Sequence, residues 1–260
     1  MLVNEALGFR RGEMVALIGA GGKTTTLFRL AQELRDHGRK VLVTTTTKIF
    51  KPTKPHVDRL FLVADIDAFL AESAKIKAPV VIGAGCSVDD DGKLIGLSPA
   101  WLETLYRSKQ FDGILVEADG AASRLFKVPS EMEPVVPALC PLTVWIMAIK
   151  VLGKPLEGTW VHRPERATAL LEAAPGAAIT QESVLRLLQH PAGCLKGIPP
   201  TSRRVALINQ ADSLEEIASA RSLGRNLLRL GMERIVITSY LGNNPVKEVM
   251  ERPSTVEEPL

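Results

Sequence analysis

The chain has 260 residues, 46% hydrophobic and 23% charged, and its 32 basic and 29 acidic side chains leave a net charge of +3. That length holds one large α/β domain, and the balanced charge gives no electrostatic case for nucleic acid or a membrane surface as partner. No apolar run reaches the ~20 residues that span a bilayer, and the N-terminus lacks an apolar signal core, so a cytoplasmic protein is expected. Cys86, Cys140 and Cys194 stand far apart with no CxxC, which argues against a disulfide framework or a zinc site.

The first predicted element carries the strongest signal. Residues 14–26, MVALIGAGGKTTT, pass from an apolar strand through a glycine turn into a helix that opens on Lys23 and three threonines. A helix N-terminus offers unpaired N–H groups and the positive end of the dipole, which suits a phosphate. Gly19, Gly21 and Gly22, with Ala20 among them, let the backbone close around an anion. Lys23 is placed to reach terminal phosphates, the Thr24 hydroxyl to ligate magnesium, and Thr25 to complete the cradle. The pattern GxxxxGK[ST] wants glycine five residues before Gly22, where Leu17 stands, so the loop is a shorter one. Its GxxGKTT resembles the compact loop of the Mur ligases and folylpolyglutamate synthetases. A dinucleotide fingerprint competes, but Thr24 takes its third glycine position and no acid ends the next strand, VLVTTTT.

A helix follows over 24–37, with apolar residues at Leu27, Leu30, Ala31 and Leu34 and a stop at Gly38. KVLVTTTT then reads as a buried strand whose carboxyl end brings Thr44 to Thr47 and Lys48 to the ligand crevice, Thr45 being the candidate for the metal side. Residues 50–58, with Pro52 and Pro55, predict an exposed loop. RLFLVA and VVIGAG read as strands around the helix IDAFLAESAK, and a hairpin turning at Asp91 and Gly92 marks an insertion at 85–97. Asp89 to Asp91 suit a solvated turn better than a calcium loop, which needs spaced acids and a closing glutamate.

After a helix over 101–109, FDGILVEADGA forms a strand whose tip presents Glu117 and Asp119 before Gly120. A P-loop protein places its magnesium-side carboxylate there, so both are candidate catalytic and metal residues. The ExxG spacing resembles the switch of nickel-inserting metallochaperone GTPases. Residues 121–141 predict a long irregular loop in which Arg124 and Lys127 either meet an anionic substrate or are surface charges. LTVWIMA reads as a strand; His162 and Arg163 precede a helix over 164–174, the histidine being structural or exposed, and QESVLRLLQ is a further helix. RVALINQADSL is a strand ending in Asn209, Gln210, Ala211 and Asp212 ahead of a helix over 213–230. It resembles the guanine motif NKxD, with glutamine for lysine. Asp212 would accept from N1–H and the 2-amino group of guanine; the competing reading makes it a helix cap. RIVITSYLGNN then ends a strand at Thr238 and Ser239, where a turn touches the base in such proteins.

GAGGKTTT, TTTTKI, LVEADGA with the following SRLFK and EPVVP, and LINQAD resemble the YqeC family, over residues 17–244. Its members are described as accessory proteins of selenium-dependent hydroxylases. The resemblance implies a P-loop NTPase that assists maturation of a molybdenum hydroxylase needing labile selenium, with another protein of that system as partner. Alternation of strands and helices predicts a single domain with an α/β three-layer P-loop NTPase fold and a mainly parallel sheet. The expected ligands are Mg2+ with GTP or ATP, GTP being favoured. The expected cradle runs from Gly19 to Thr25, and Asn209, Asp212 and Ser239 face the base. Lys23, Glu117 and Asp119 would carry hydrolysis, with Thr24, Thr45, Glu117 and Asp119 on the metal. An NTP-dependent ligase or phosphotransferase, and a nucleotide-gated binder without turnover, are the alternatives.

Overall fold

The protein is described by a computed structural model over residues 1–252. Its elements run α1 (Val3–Ala6), β1 (Glu13–Gly19), α2 (Lys23–Asp36), β2 (Lys40–Thr45), β3 (Lys48–Phe50), β4 (Arg59–Leu62), α3 (Ile66–Ala74), β5 (Val80–Gly85), β6 (Ser87–Val88) and β7 (Lys93–Ile95). They continue with α4 (Pro99–Ser108), β8 (Gly113–Glu117), β9 (Phe126–Lys127), β10 (Leu142–Ala148), β11 (Val161–His162), α5 (Pro164–Leu171), α6 (Gln181–Gln189), β12 (Arg203–Asn209), α7 (Leu214–Arg229), β13 (Arg234–Thr238) and β14 (Val246–Glu251).

Nine strands form one sheet in the order β14-β13-β12-β10-β1-β8-β2-β5-β4. Every pairing is parallel except β13 with β14. Burial on both faces explains why β1 is apolar from Met14 to Ile18. Met14, Ala16 and Ile18 pack on one side with residues of α3 to α7, while Val15 and Leu17 pack on the other with α1 and α2. That period-2 split makes three layers, helices on sheet on helices, as expected for a P-loop NTPase-like fold. The carboxyl ends of β1, β8, β2, β10, β12 and β13 therefore share one edge, where ligands collect in parallel sheets.

Three segments depart from the sequence expectation. Residues 48–50 pair with β7 as a strand, so the hairpin expected near Asp91 becomes a three-stranded sheet, β3-β7-β6, standing off the main one. The edge strand β14 was hidden because its outward residues are charged and it shows no apolar run; pairing with β13, not pattern, holds it. The expected irregular loop at 121–141 contains β9, two residues paired with β11. No helix among the described residues is long and apolar enough to cross a membrane.

Candidate functional site

Four helices are closed by side-chain caps: Asp65 for α3, Ser98 for α4, Thr180 for α6 and Ser213 for α7. Helix α2 is different: its N-cap is Gly22, which has no side chain to offer, so its first N–H groups stay open to an external anion. The loop before it packs closely on the backbone of β10 and on the Asn209 side chain. Gly19 has φ +94°, and a Cβ there would come within 2.2 Å of the Ile146 carbonyl oxygen. At Gly22, with φ +135°, a Cβ would meet Asn209 Nδ2 at 2.2 Å. These glycines are demanded by close packing of the loop onto β10 and β12.

Lys23 turns back over the loop, donating to the Gly19 carbonyl at 2.6 Å and standing 3.0 Å from Asp119 and 3.7 Å from Glu117. Strand β8 lies beside β1 and delivers both carboxylates to it. The Thr24 hydroxyl donates to Glu117 Oε2 at 2.9 Å, and the Gly19 N–H donates to Asp119 Oδ2 at 2.9 Å. Asp119 Oδ1 is close to Lys23 yet makes no directed hydrogen bond, a buried oxygen with spare accepting capacity. Burial pushes the Glu117 carboxyl above its ordinary range, a rise that Lys23 and the Thr24 hydroxyl only partly offset. An added cation beside Thr24 and Glu117 would relieve that cost, so this donor set fits magnesium. Among the described residues no three His, Cys, Asp or Glu side chains converge on a point, so hydroxyl and phosphate oxygens would complete the shell of any ion held there. The Thr45 hydroxyl, grouped with the metal side from sequence, is buried and donates to the Glu117 carbonyl at 2.6 Å, steadying the strand tip.

Behind the carboxylates runs a network that sequence reasoning left undecided. Lys127 is almost fully buried, 3.3 Å from Asp119 and 2.8 Å from Glu133, and also donates to the Gly120 carbonyl. It is therefore not a surface charge. Arg163 meets the same Glu133 at 2.7 Å. Burial pushes the Glu133 carboxyl up, but Lys127 and Arg163 overcome it and hold the group at about 2. The only sequence signal for this chain of charges was a lysine next to a phenylalanine in a proline-rich segment, which reads equally as surface.

On the other flank of β1, Asn209 is buried with Nδ2 donating to the Gly21 carbonyl at 2.8 Å and Oδ1 accepting from the Thr238 hydroxyl at 3.0 Å. Asp212 and Ser239 come together, the Ser239 hydroxyl donating to Oδ1 at 2.5 Å, and Lys150 holds Oδ2. Burial raises the Asp212 carboxyl, but Lys150 and Ser239 outweigh it and lower the pKa. Asp212 does not cap α7: Ser213 does, accepting from the Glu216 N–H. Tyr240, missed in the sequence, bonds the Thr26 hydroxyl at 2.7 Å and ties β13 to α2.

A concavity of about 740 Å3 opens at α2, lined by the loop, Glu117, residues 120–125, Gln210, and residues 47–50. Asn209, Asp212 and Ser239 are not in its wall. A larger depression of about 830 Å3 lies near the starts of β4 and β5, at the opposite end of the sheet, and holds none of these side chains.

A family model described as YqeC protein matches residues 15–165, which takes in the loop, β8 and the buried charges but ends before Asn209 and Asp212. An uncharacterized protein of Escherichia coli (strain K12), YqeC, is 31% identical over 226 residues, covering 87% of this chain and 87% of that one.

Proposed function

This chain belongs to the YqeC family, and we propose that it is a magnesium-dependent nucleoside-triphosphate-binding protein and slow hydrolase, acting as an accessory factor for a selenium-dependent molybdenum hydroxylase. The observation that carries the nucleotide part is the meeting of an uncapped helix N-terminus, Lys23, and the Thr24–Glu117 pair at one strand edge. The client enzyme rests on the family resemblance alone.

In this reading the open N–H groups of α2 and the Lys23 ammonium bind the phosphates, which supply the anionic partner that Lys23 otherwise finds in Asp119 and Glu117. Thr24 and Glu117 would hold the magnesium, which would supply positive charge beside the phosphoryl oxygens. Asp119 fixes the Gly19 amide and so the loop's shape. Asn209 clamps the loop from behind, and Asp212, aligned by Ser239, reads the base, which favours GTP over ATP. Glu117 is engaged by Thr24 and Asp119 by the Gly19 amide and two lysines, so neither carboxylate is freely available to take a proton from water, and unaided turnover is slow.

Calorimetry with GTP, ATP and NAD in the presence of magnesium tests the assignment. GTP is expected to bind most tightly, and Asp212→Asn to weaken it by roughly 2–4 kcal/mol while xanthosine triphosphate gains, since asparagine presents a donor. Equal affinity for GTP and ATP would remove the base-reading role; no triphosphate binding at all would remove the function. A second reading, a phosphotransferase or ligase, is favoured by the size of the concavity, which extends well past the loop.

A further inference from the structure

The base-side residues Asn209, Asp212 and Ser239 stand at the ends of β12 and β13, on one flank of β1. The concavity extends over the opposite flank, across the tip of β8 and onto the small sheet of β3 and β7. A triphosphate with its base over β12 and β13 and its phosphates on α2 points its terminal phosphate into that far half. There the wall carries Lys48, Phe50 and Lys93, while Arg124 and His162 line the same concavity from the segments beside Gly21 and β9.

The charges that line the concavity do not cancel. The acid on its wall away from the loop, Glu133, is neutralised by Lys127 and Arg163. Lys48 leans on Asp89 at 3.0 Å and is still 58% exposed, and Lys93 reaches Asp91 only at 4.0 Å. Arg124 makes no side-chain ion pair among the described residues. Lys93 also lies 5.8 Å over the ring of Phe50, which is 70% exposed and forms an apolar lip. Lys48 is thus partnered by Asp89, while Lys93 and Arg124 face a cleft whose own acids are occupied.

We propose that the concavity holds a second site, for a small molecule bearing a phosphate or carboxylate oxyanion, held beside the terminal phosphate of the bound nucleotide. It rests on the nucleotide reading above for its position but on Lys93 and Arg124, which line the same concavity, for its chemistry. Arg124 offers a planar fork suited to a two-oxygen anion, Lys93 a point charge, and Phe50 a surface for the molecule's carbon part.

The test uses the full chain saturated with magnesium and a non-hydrolysable triphosphate, titrated calorimetrically with inorganic phosphate and, separately, with succinate. Sodium chloride at matched ionic strength is the control. One equivalent of phosphate or of succinate is expected to bind, and the arm that responds identifies the kind of oxyanion. The Arg124→Ala/Lys93→Ala variant, checked for folding by circular dichroism, should bind it about 10-fold more weakly or worse, as expected for two lost charge-assisted contacts. Arg124→Lys should recover part of the loss. The proposal is overturned if neither anion binds the saturated chain, if chloride gives the same heat, or if the double variant loses triphosphate and anion in step. If no triphosphate binds yet the anion still does so through Arg124 and Lys93, the nucleotide reading fails and the oxyanion site stands.

Discussion

Replacing Asn209 by alanine should loosen the glycine loop ahead of α2 from behind, without touching any atom that faces the concavity. The side chain is 3% exposed and joins two buried partners, the Gly21 carbonyl at 2.8 Å and the Thr238 hydroxyl at 3.0 Å. Alanine strands both, and an unsatisfied buried partner costs about 1–3 kcal/mol. The Thr238 hydroxyl can rotate, which puts its share at the low end, so the sum is about 2–4 kcal/mol. In a chain of this size that corresponds to a Tm lower by about 5–15 °C. Asn209→Asp should be worse, because it sets an acceptor against the Gly21 oxygen and buries a charge. Thr238→Val spares the loop contact and should cost about 1 kcal/mol. Urea denaturation, followed by calorimetric triphosphate binding on each variant, separates the effects: Asn209→Ala should lose both stability and affinity, Thr238→Val stability alone. An Asn209→Ala chain within about 0.5 kcal/mol of the parent, with unchanged affinity, would refute the clamp.

Lys23→Ala should weaken triphosphate binding by about 1.5–3 kcal/mol and destabilise the fold by about 3 kcal/mol, because it leaves Glu117 and Asp119 buried with less compensation. Glu117 has its folded pKa raised, so its stability contribution is lost as pH rises, and the variant's deficit should be larger at pH 8 than at pH 5; a pH-independent deficit would refute this. Glu133 runs the other way. Its folded pKa, about 2 against an ordinary 4.5, adds stability that is present above pH 4.5 and lost as pH falls through that window, about 3 kcal/mol in all. Denaturation midpoints from pH 5 to pH 2 should fall more steeply for the parent than for Glu133→Gln; parallel curves would show that Lys127 and Arg163 do not hold this carboxylate.

The parts of the site that repeat a local rule were legible in the sequence. An apolar strand, a glycine turn and Lys23-Thr24 define a helix start without its tertiary setting, and β8 could be read from ILV followed by Glu117 and Asp119. Asn209 and Ser239 were legible together because they stand at the ends of β12 and β13 on one sheet edge, and Asp212 because it lies three residues past Asn209, ahead of α7. What was hidden depends on contacts distant in sequence. Lys127 is buried by Glu133 and Asp119, and nothing in residues 121–141 alone signals that a lysine there is inside. Strand β3 exists because β7 pairs with it, though its own residues, Lys48 to Phe50, look like the start of a proline loop. Asp212 suited a cap by spacing, but Ser213 with Glu216 forms the better capping box one residue later and frees the aspartate.

The buried charges explain why this edge is both costly and ordered. Lys23, Asp119, Lys127, Glu133 and Arg163 alternate in sign from the start of α2 to the N-terminus of α5, each within 3.3 Å of the next. An isolated ion in such a place costs several kcal/mol, and alternation recovers most of that only while every member is present. The chain is anchored at one end by Lys23, which opens α2, and at the other by an arginine held in a left-handed turn at φ +64°. Between them, Asp119 binds the Gly19 amide and Lys127 binds the Gly120 carbonyl, so the ions also set the backbone of the loop and of the strand tip beside it. The segment from Gly120 to Glu133 is tied to the glycine loop through these charges, through the Gly21 N–H donating to the Arg124 carbonyl, and through Phe126 and Val128 in the apolar core. A change in what Lys23 touches alters the electrostatic balance of every later pair, which is why truncation at either end is expected to be felt across the whole edge.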